Sequence, residues 1–267
     1  MKKRLVFRIV FLLIPGWLVF LSGCKQAAEK PQQPVLFQAL EAPRTGLDFT
    51  NKLTPTQDFN VFKYMYFYNG GGVGAADFNN DGKMDIFFAA NQVPNRLYLN
   101  TGDLHFKDVT AEAQIPVDGA WSTGVSIVDI NNDGLLDIYI CRVGNHETLH
   151  SHNQLLICQG IDKSGVPIYK DEAKEYGLDF SGFSTQAVFF DYDGDGDLDM
   201  YLLNHSIHQN GTFGPRKDRL AVGNPLSGDR LYRNDGNKKF TEVTKEAGIY
   251  SSVIGYGLGI SAADIDL

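Results

Sequence analysis

An all-β fold, a β-propeller of four-stranded blades, is what this sequence predicts, and three observations carry the expectation. A nine-residue acidic phrase occurs three times, as DFNNDGKMD at Asp77–Asp85, DINNDGLLD at Asp129–Asp137 and DYDGDGDLD at Asp191–Asp199. One apolar run precedes each phrase and three follow it, all rich in β-branched and aromatic residues, so each unit offers four short strands. The phrases recur at propeller-like intervals of 52, 62 and 73 residues (77→129, 129→191, 191→264), and the apolar positions keep no sustained 3.6-residue spacing of the kind a helical repeat needs.

The first strand of each unit is GVGAADF at Gly72–Phe78, GVSIVDI at Gly124–Ile130 and QAVFFDY at Gln186–Tyr192, with a fourth copy, GLGISAADI, at Gly257–Ile265. Glycine in these runs lets inner strands pack closely around an axis. The second strand follows the acidic phrase as DIFFAA from Asp85, DIYICRV from Asp137 and DMYLLN from Asp199. The third reads NRLYLN from Asn95, NQLLIC from Asn153 and DRLYRN from Asp229. The fourth is assigned to FKDVTAEAQI from Phe106, YKDEAKEYGL from Tyr169 and FTEVTKEAGI from Phe240. About three blades and the start of a fourth are present, since Asp264-Ile265-Asp266 opens a phrase that Leu267 ends. The chain therefore reads as the N-terminal part of a longer protein, with residues 47–51 offered as the outer strand of a last, ring-closing blade.

Each acidic phrase places side-chain oxygens at positions 1, 3, 5 and 9 and glycine at position 6. That spacing suits a hard cation: the oxygens converge, position 7 can offer its carbonyl, and glycine permits the sharp turn. The expected ligands are Asp77, Asn79, Asp81 and Asp85; Asp129, Asn131, Asp133 and Asp137; and Asp191, Asp193, Asp195 and Asp199. A single copy would equally fit an Asp/Asn-rich turn; three copies in register argue for calcium.

With these loops lying between strands, the chain resembles the FG-GAP, or VCBS, repeats of integrin-type propellers. The F-x-[DE]-V-T-x-x-A-G-I phrase at Phe240–Ile249 is similar to bacterial repeat proteins related to the ASPIC/UnbV and cartilage acidic protein group. The resemblance runs from about Leu47 to Leu267. It implies the propeller and bound calcium, and it says little about activity.

At the N-terminus Lys2, Lys3 and Arg4 precede an apolar run from Ile9 to Leu21, too short for a comfortable membrane span and flanked like a secretory signal. Leu21-Ser22-Gly23-Cys24 resembles the bacterial lipobox, in which the cysteine is lipidated and becomes the first mature residue. An ordinary signal with a chance cysteine is the alternative; the small residues before Cys24 favour the anchor. Residues 24–45, with Pro31, Pro34 and Pro43, read as a polar tether, so the organisation is signal 1–23, tether 24–45 and propeller 46–267.

A content of 43% hydrophobic and 12% aromatic residues excludes disorder outside the tether. The formal charge of −8 becomes −12 once Lys2, Lys3, Arg4 and Arg8 leave with residues 1–23, and no basic patch supports a nucleic-acid partner. Cys141 and Cys158 fall on consecutive strands, where a disulfide and two buried thiols stand equally.

From the last ligand to the third strand the gaps are 10, 16 and 30 residues (85→95, 137→153, 199→229), so the units differ mainly in the connection from second to third strand. In an antiparallel blade that connection lies opposite the acidic loop, and insertions on one face of a repeat array mark a binding face. His146, His150, His152, His205 and His208 fall in or beside these connections, with Arg216, Lys217 and Arg219. A metal or acid–base site among them is one reading and ordinary polar loops the favoured one. The run Tyr64-Met65-Tyr66-Phe67-Tyr68, placed at the entry to an inner strand, reads as core packing before it reads as sugar-stacking rings. No nucleophile triad, P-loop or dinucleotide fingerprint is supported. The expected function is a calcium-stabilised, lipid-anchored envelope protein, at the outer membrane, that binds a glycan or protein partner on its long-loop face. The rivals are a propeller-based polysaccharide-degrading enzyme and an accessory subunit of an outer-membrane uptake complex.

Overall fold

The computed structural model describes residues 37–206, 215 and 223–263. The chain divides into Met1–Leu40 and Glu41–Leu267, and the elements of the described residues lie in the second unit. After a helical turn α1 (Ala42–Thr45), twelve strands among the described residues form three four-stranded antiparallel sheets, each following chain order. The first holds β1 (Val73–Ala76), β2 (Asp85–Phe88), β3 (Arg96–Gly102) and β4 (His105–Asp108). The second holds β5 (Ser122–Val128), β6 (Asp137–Arg142), β7 (Gln154–Ile161) and β8 (Pro167–Asp171), followed by the helical turn α2 (Ala173–Tyr176). The third holds β9 (Ser184–Phe190), β10 (Asp199–Asn204), β11 (Arg230–Asn234) and β12 (Phe240–Glu242). These are three propeller-like blades.

Alternation along the strands explains how the sheets stack. In β6 every residue is buried; Ile138 and Ile140 join one apolar cluster while Tyr139 and Cys141 join another. The first cluster also contains Phe87 and Leu97 of the first sheet, and the second contains Met200 and Leu202 of the third. The middle sheet is thus covered on both faces, which is why β6 reads as a near-continuous apolar run. Cys141 and Cys158 follow the same logic: they lie in different clusters and both are free thiols. The register pairs Ile140 with Gln154, which sets Cys141 beside Asn153 and carries Cys158 toward the other end of the sheet.

The inner strands sit side by side, β1 against β5 and β5 against β9. Gly72 donates its N–H to Thr123 O at 2.5 Å, and a Cβ on Gly72 would fall 2.8 Å from that oxygen and from Val125 N. A Cβ on Gly124 would strike Thr185 O and Gln186 Oε1. At these two positions glycine is required for blade-to-blade approach.

Three segments differ from expectation. The fourth-strand phrases are extended only over β4, β8 and β12; beyond them the chain curls. Asp108 Oδ1 accepts from Thr110 N at 2.9 Å, an Asx-type turn that competes with strand pairing. Thr110 Oγ1 and Thr244 Oγ1 then accept from Leu97 N and Leu231 N, each at 3.0 Å, which gives the V-T pair its purpose; the second unit, lacking that threonine, uses Asp171 toward Leu155 N. Residues 47–51 pair with no strand: Tyr98 donates to Asp48, Phe49 stacks on Phe88, and Asn51 bonds to Asn91. Residues 257–263 likewise form no strand, because an inner strand is held by its second-strand neighbour and none is present for them among the described residues. The remainder of that fourth phrase, Asp264–Leu267, lies outside the described residues.

Candidate functional site

The three acidic turns join β1 to β2, β5 to β6 and β9 to β10, and their hydrogen bonds follow one scheme. Position 1 accepts from the amides of positions 5 and 6: Asp77 from Asp81 N and Gly82 N, Asp129 from Asp133 N and Gly134 N, and Asp191 from Asp195 N and Gly196 N, at 2.7–3.2 Å; Asp191 also accepts from Gly194 N at 2.7 Å. Position 5 accepts from the amide two residues on: Asp81 from Lys83 N, Asp133 from Leu135 N and Asp195 from Asp197 N. Asn79 and Asn131 accept from Asp81 N and Asp133 N. Glycine at position 6 adopts φ of +84°, +83° and +96° in Gly82, Gly134 and Gly196, conformations that L side chains rarely take. In the third turn carboxylate oxygens of Asp191, Asp193 and Asp195 lie within 4.8 Å of one another.

Position 9 does something more. Asp85, Asp137 and Asp199 are fully buried at the start of the second strands. One oxygen of each accepts from the amide at position 2 (Phe78, Ile130, Tyr192) and the other from an amide of the third strand (Asn100, Cys158, Asn234), at 2.7–3.1 Å. One carboxylate thereby ties the turn to two strands. Burial pushes these groups up, Asp85 to about 6 and Asp137 to about 7, against the pull of the two amides; Asp199 is raised for the same reason. Asp81 and Asp77 add repulsion at Asp85, Asp133 and Asp129 at Asp137. A divalent cation among these oxygens would supply the counter-charge that no lysine or arginine provides at Asp137, so the donor set fits calcium. Turn one is different in one respect: Lys83 Nζ lies 2.9 Å from Asp81 Oδ2.

At the other end, the residue leading each third strand holds the end of the second. Asn95 accepts from Ala90 N, Asn153 from Arg142 N and Asp229 from Asn204 N, at 2.7–3.0 Å. Between those anchors the connections diverge. His205 is buried; its Nδ1 donates to Ser206 O at 2.9 Å, so Nε2 accepts from Tyr64 O–H, also at 2.9 Å. Burial holds this imidazole down to about 4, and His146 close by adds to that. His146 is likewise lowered by burial and packs on Tyr64 and Phe183. His150 and His152 do not join them; His152 lies 4.0 Å from Asp171. His208, Arg216, Lys217 and Arg219 lie outside the described residues, as does Cys24.

The aromatic run forms turns, not a strand entry, with Phe67 N bonded to Tyr64 O and Asn69 N to Tyr66 O. Tyr64, Tyr66 and Phe67 pack with Phe59 and Trp121, as a core does, and Tyr68 is exposed. Part of this cluster also walls a cavity of about 430 Å³ at the leading ends of β1, β5 and β9, where Tyr64, Tyr66, Trp121 and His205 meet Asn69–Gly72, Thr123, Thr185 and Gln186. Sequence reading missed the cavity, because its walls come one piece from each repeat. The signal that could have found it is the S/T-T-G/Q opening of the inner strands, Ser122-Thr123-Gly124 and Ser184-Thr185-Gln186.

Residues 64–140 match the FG-GAP-like repeat family. Over 140 residues the chain is 31% identical to cartilage acidic protein 1 of Homo sapiens, covering 51% of this chain and 20% of that protein. It is 30% identical over 140 residues to the Mus musculus protein of the same name, and 29% identical over 142 residues to the Xenopus tropicalis one, covering 21% of each. The chain thus spans about a fifth of the length of the curated relatives it matches. The resemblance read from the repeats holds: residues 64–140 match FG-GAP-like repeats, the three sheets are propeller-like blades, and the chain is similar to cartilage acidic protein 1.

Proposed function

We propose that the chain is a calcium-stabilised binding propeller, anchored to the cell envelope through Cys24, whose partner meets the end of the blades opposite the acidic turns. The observation that carries this reading is the contrast between the ends. Three turns repeat one bonding scheme around buried carboxylates, as a structural metal site would. The other end offers divergent connections and a cavity. Calcium, when bound, supplies counter-charge; Asp77, Asp129, Asp191 and their turn-mates hold it, and Asp85, Asp137 and Asp199 pass its effect to the second and third strands. The Leu21-Ser22-Gly23-Cys24 junction and the proline-containing stretch after it support the anchor. The multiple acyl chains of a mature lipoprotein would hold firmly where one would not.

The test uses the full chain. Shortening residues 207–227 to the length of the first repeat's connection should leave melting nearly unchanged, since loop closure depends weakly on length. Binding on a glycan array should fall; unchanged binding overturns the assignment of the face. In parallel, wild type should take acyl label and partition into detergent, and Cys24→Ala should do neither; unlabelled, water-soluble wild type overturns the anchor.

A further inference from the structure

The cavity at the leading ends of β1, β5 and β9 has a lining that restricts its occupant. Among the described residues its walls contain aromatic rings (Tyr64, Tyr66, Trp121), the His205 imidazole, Leu258, amides (Asn69, Gln186), hydroxyls (Thr123, Thr185) and glycine backbone, and no Asp, Glu, Lys or Arg. The one titratable group near neutrality, His205, is held neutral: its ring is stacked on Tyr66 at 3.9 Å between centroids, and both nitrogens are engaged. A charged ligand would leave water here and meet no opposite charge. A purely apolar ligand would also be poorly served. Gln186, whose Nε2 donates to Val125 O at 3.1 Å, keeps Oε1 against Gly124, and Asn69 brings the amide of an exposed residue. Covering these atoms without pairing them costs about 1–3 kcal/mol each. Aromatic surface beside unpaired neutral donors and acceptors suits a ligand with both an apolar face and hydroxyl groups. The volume of about 430 Å³ lies within the usual 300–1,000 Å³ range of small-molecule sites.

We propose that this cavity is a binding site for an uncharged sugar residue, one pyranose ring of a neutral glycan, with Gln186 and Asn69 reading its hydroxyls and Tyr66 and Trp121 bounding its apolar face. The inference rests on the reading that the face opposite the acidic turns is the binding face, and it narrows the partner from glycan or protein to neutral glycan. The site exists only where three blades meet. Gly72 and Gly124 make its floor, because any side chain there would force β1, β5 and β9 apart.

Trp121 lines the cavity, and the only other tryptophan is Trp17 in the N-terminal apolar run, so emission reports on the site. Full-chain protein in calcium is titrated with glucose, galactose, mannose and N-acetylglucosamine, and with glucuronate as the charged control. At least one neutral sugar should give a saturable change, with glucuronate at least tenfold weaker. Gln186→Ala and Asn69→Ala should each weaken the response about tenfold while keeping the wild-type calcium-dependent melting curve; Asn69→Ala, at an exposed position, serves alone where Gln186→Ala fails to fold. No saturable response to any neutral sugar, glucuronate binding as tightly, or folded variants that bind like wild type each overturn the proposal. Array binding that falls on shortening 207–227 but survives Gln186→Ala and Asn69→Ala rejects the cavity and keeps the face. Array binding that survives the shortening but is lost in the cavity variants keeps the cavity and removes the long connection from the site.

Discussion

At one end of the three sheets the turns between first and second strands repeat one arrangement at positions 1, 5 and 9, down to which carboxylate oxygen accepts from the shared amides, with turn three adding a bond from Gly194 N to Asp191. At the other, the connections between second and third strands share one anchoring bond each, then differ in length, composition and packing. Their anchor partners stand 5, 11 and 25 residues apart (90→95, 142→153, 204→229). Where every copy must solve the same problem of tying one turn to two strands, the solution is copied. Where no such problem exists, the copies are free to diverge, and the proposed recognition falls there.

The comparison is most exposed to failure at position 9. Removing Asp137 strips acceptors from two buried amides, Ile130 N and Cys158 N. With about 1–3 kcal/mol for each orphaned donor, Asp137→Ala should lose on the order of 4 kcal/mol in urea unfolding. Asp85→Ala and Asp199→Ala should fall by similar amounts; three widely different losses would break the claim that the turns are equivalent.

The divergent end should show its own signature in pH. His205 titrates near its ordinary 6.5 when unfolded and at about 4 when folded, because burial disfavours its charge. Between those values the unfolded chain binds the extra proton, so the stability this residue contributes is whole above about 6.5, declines as pH falls, and is flat below about 4. At 1.36 kcal/mol per unit the loss is on the order of 3 kcal/mol. The wild-type-minus-His205→Gln difference in unfolding free energy should fall by about that amount from pH 6.5 to pH 4; parallel curves would refute it.

Calcium should act on the uniform end alone. At a hundredfold above its dissociation constant each site adds about 2.7 kcal/mol by mass action. Melting should shift upward in calcium, return in chelator, and respond less to magnesium, which demands octahedral geometry and gives up water reluctantly. A curve indifferent to all three removes calcium from the account.

The smallest effect separates the turns from each other. Turn one sets Asp77, Asp81 and Asp85 against Lys83, whereas turn three carries Asp191, Asp193, Asp195, Asp197 and Asp199. Ligand charge tunes calcium affinity. In a calorimetric titration Asp193→Asn should weaken the tightest site by up to about tenfold, or 1.4 kcal/mol, and Lys83→Gln should tighten the weakest by less. The opposite ranking would mean that turn rigidity, not charge, sets the order.

Much of this was legible beforehand because it is periodic. The nine-residue phrase, the all-buried run Ile138–Cys141 and the glycines of the inner strands each announce a constraint that a single stretch of sequence satisfies. What stayed hidden is what several stretches satisfy jointly. Nothing local to Thr185 or Trp121 says that they share a cavity, and nothing in YKDEAKEYGL tells that Asp171 replaces the threonine of its sister phrases. The fourth-strand phrases misled for a related reason. Their β-like residues are real, but Asp108 N-terminal to Thr110 turns the backbone locally, and a short side-chain bond outweighs propensity.

The residue leading each third strand has a consequence for how such a protein changes over time. Asn95, Asn153 and Asp229 close the base of a connection whatever its length, and the amide they satisfy lies at the end of the second strand (Arg142, Asn204) or two residues past it (Ala90). Each acts as a socket. A segment can be lengthened, exchanged between copies or replaced by a foreign sequence without disturbing the blade beneath it, so novelty can be sampled three times on one scaffold while the opposite end keeps the scaffold standing.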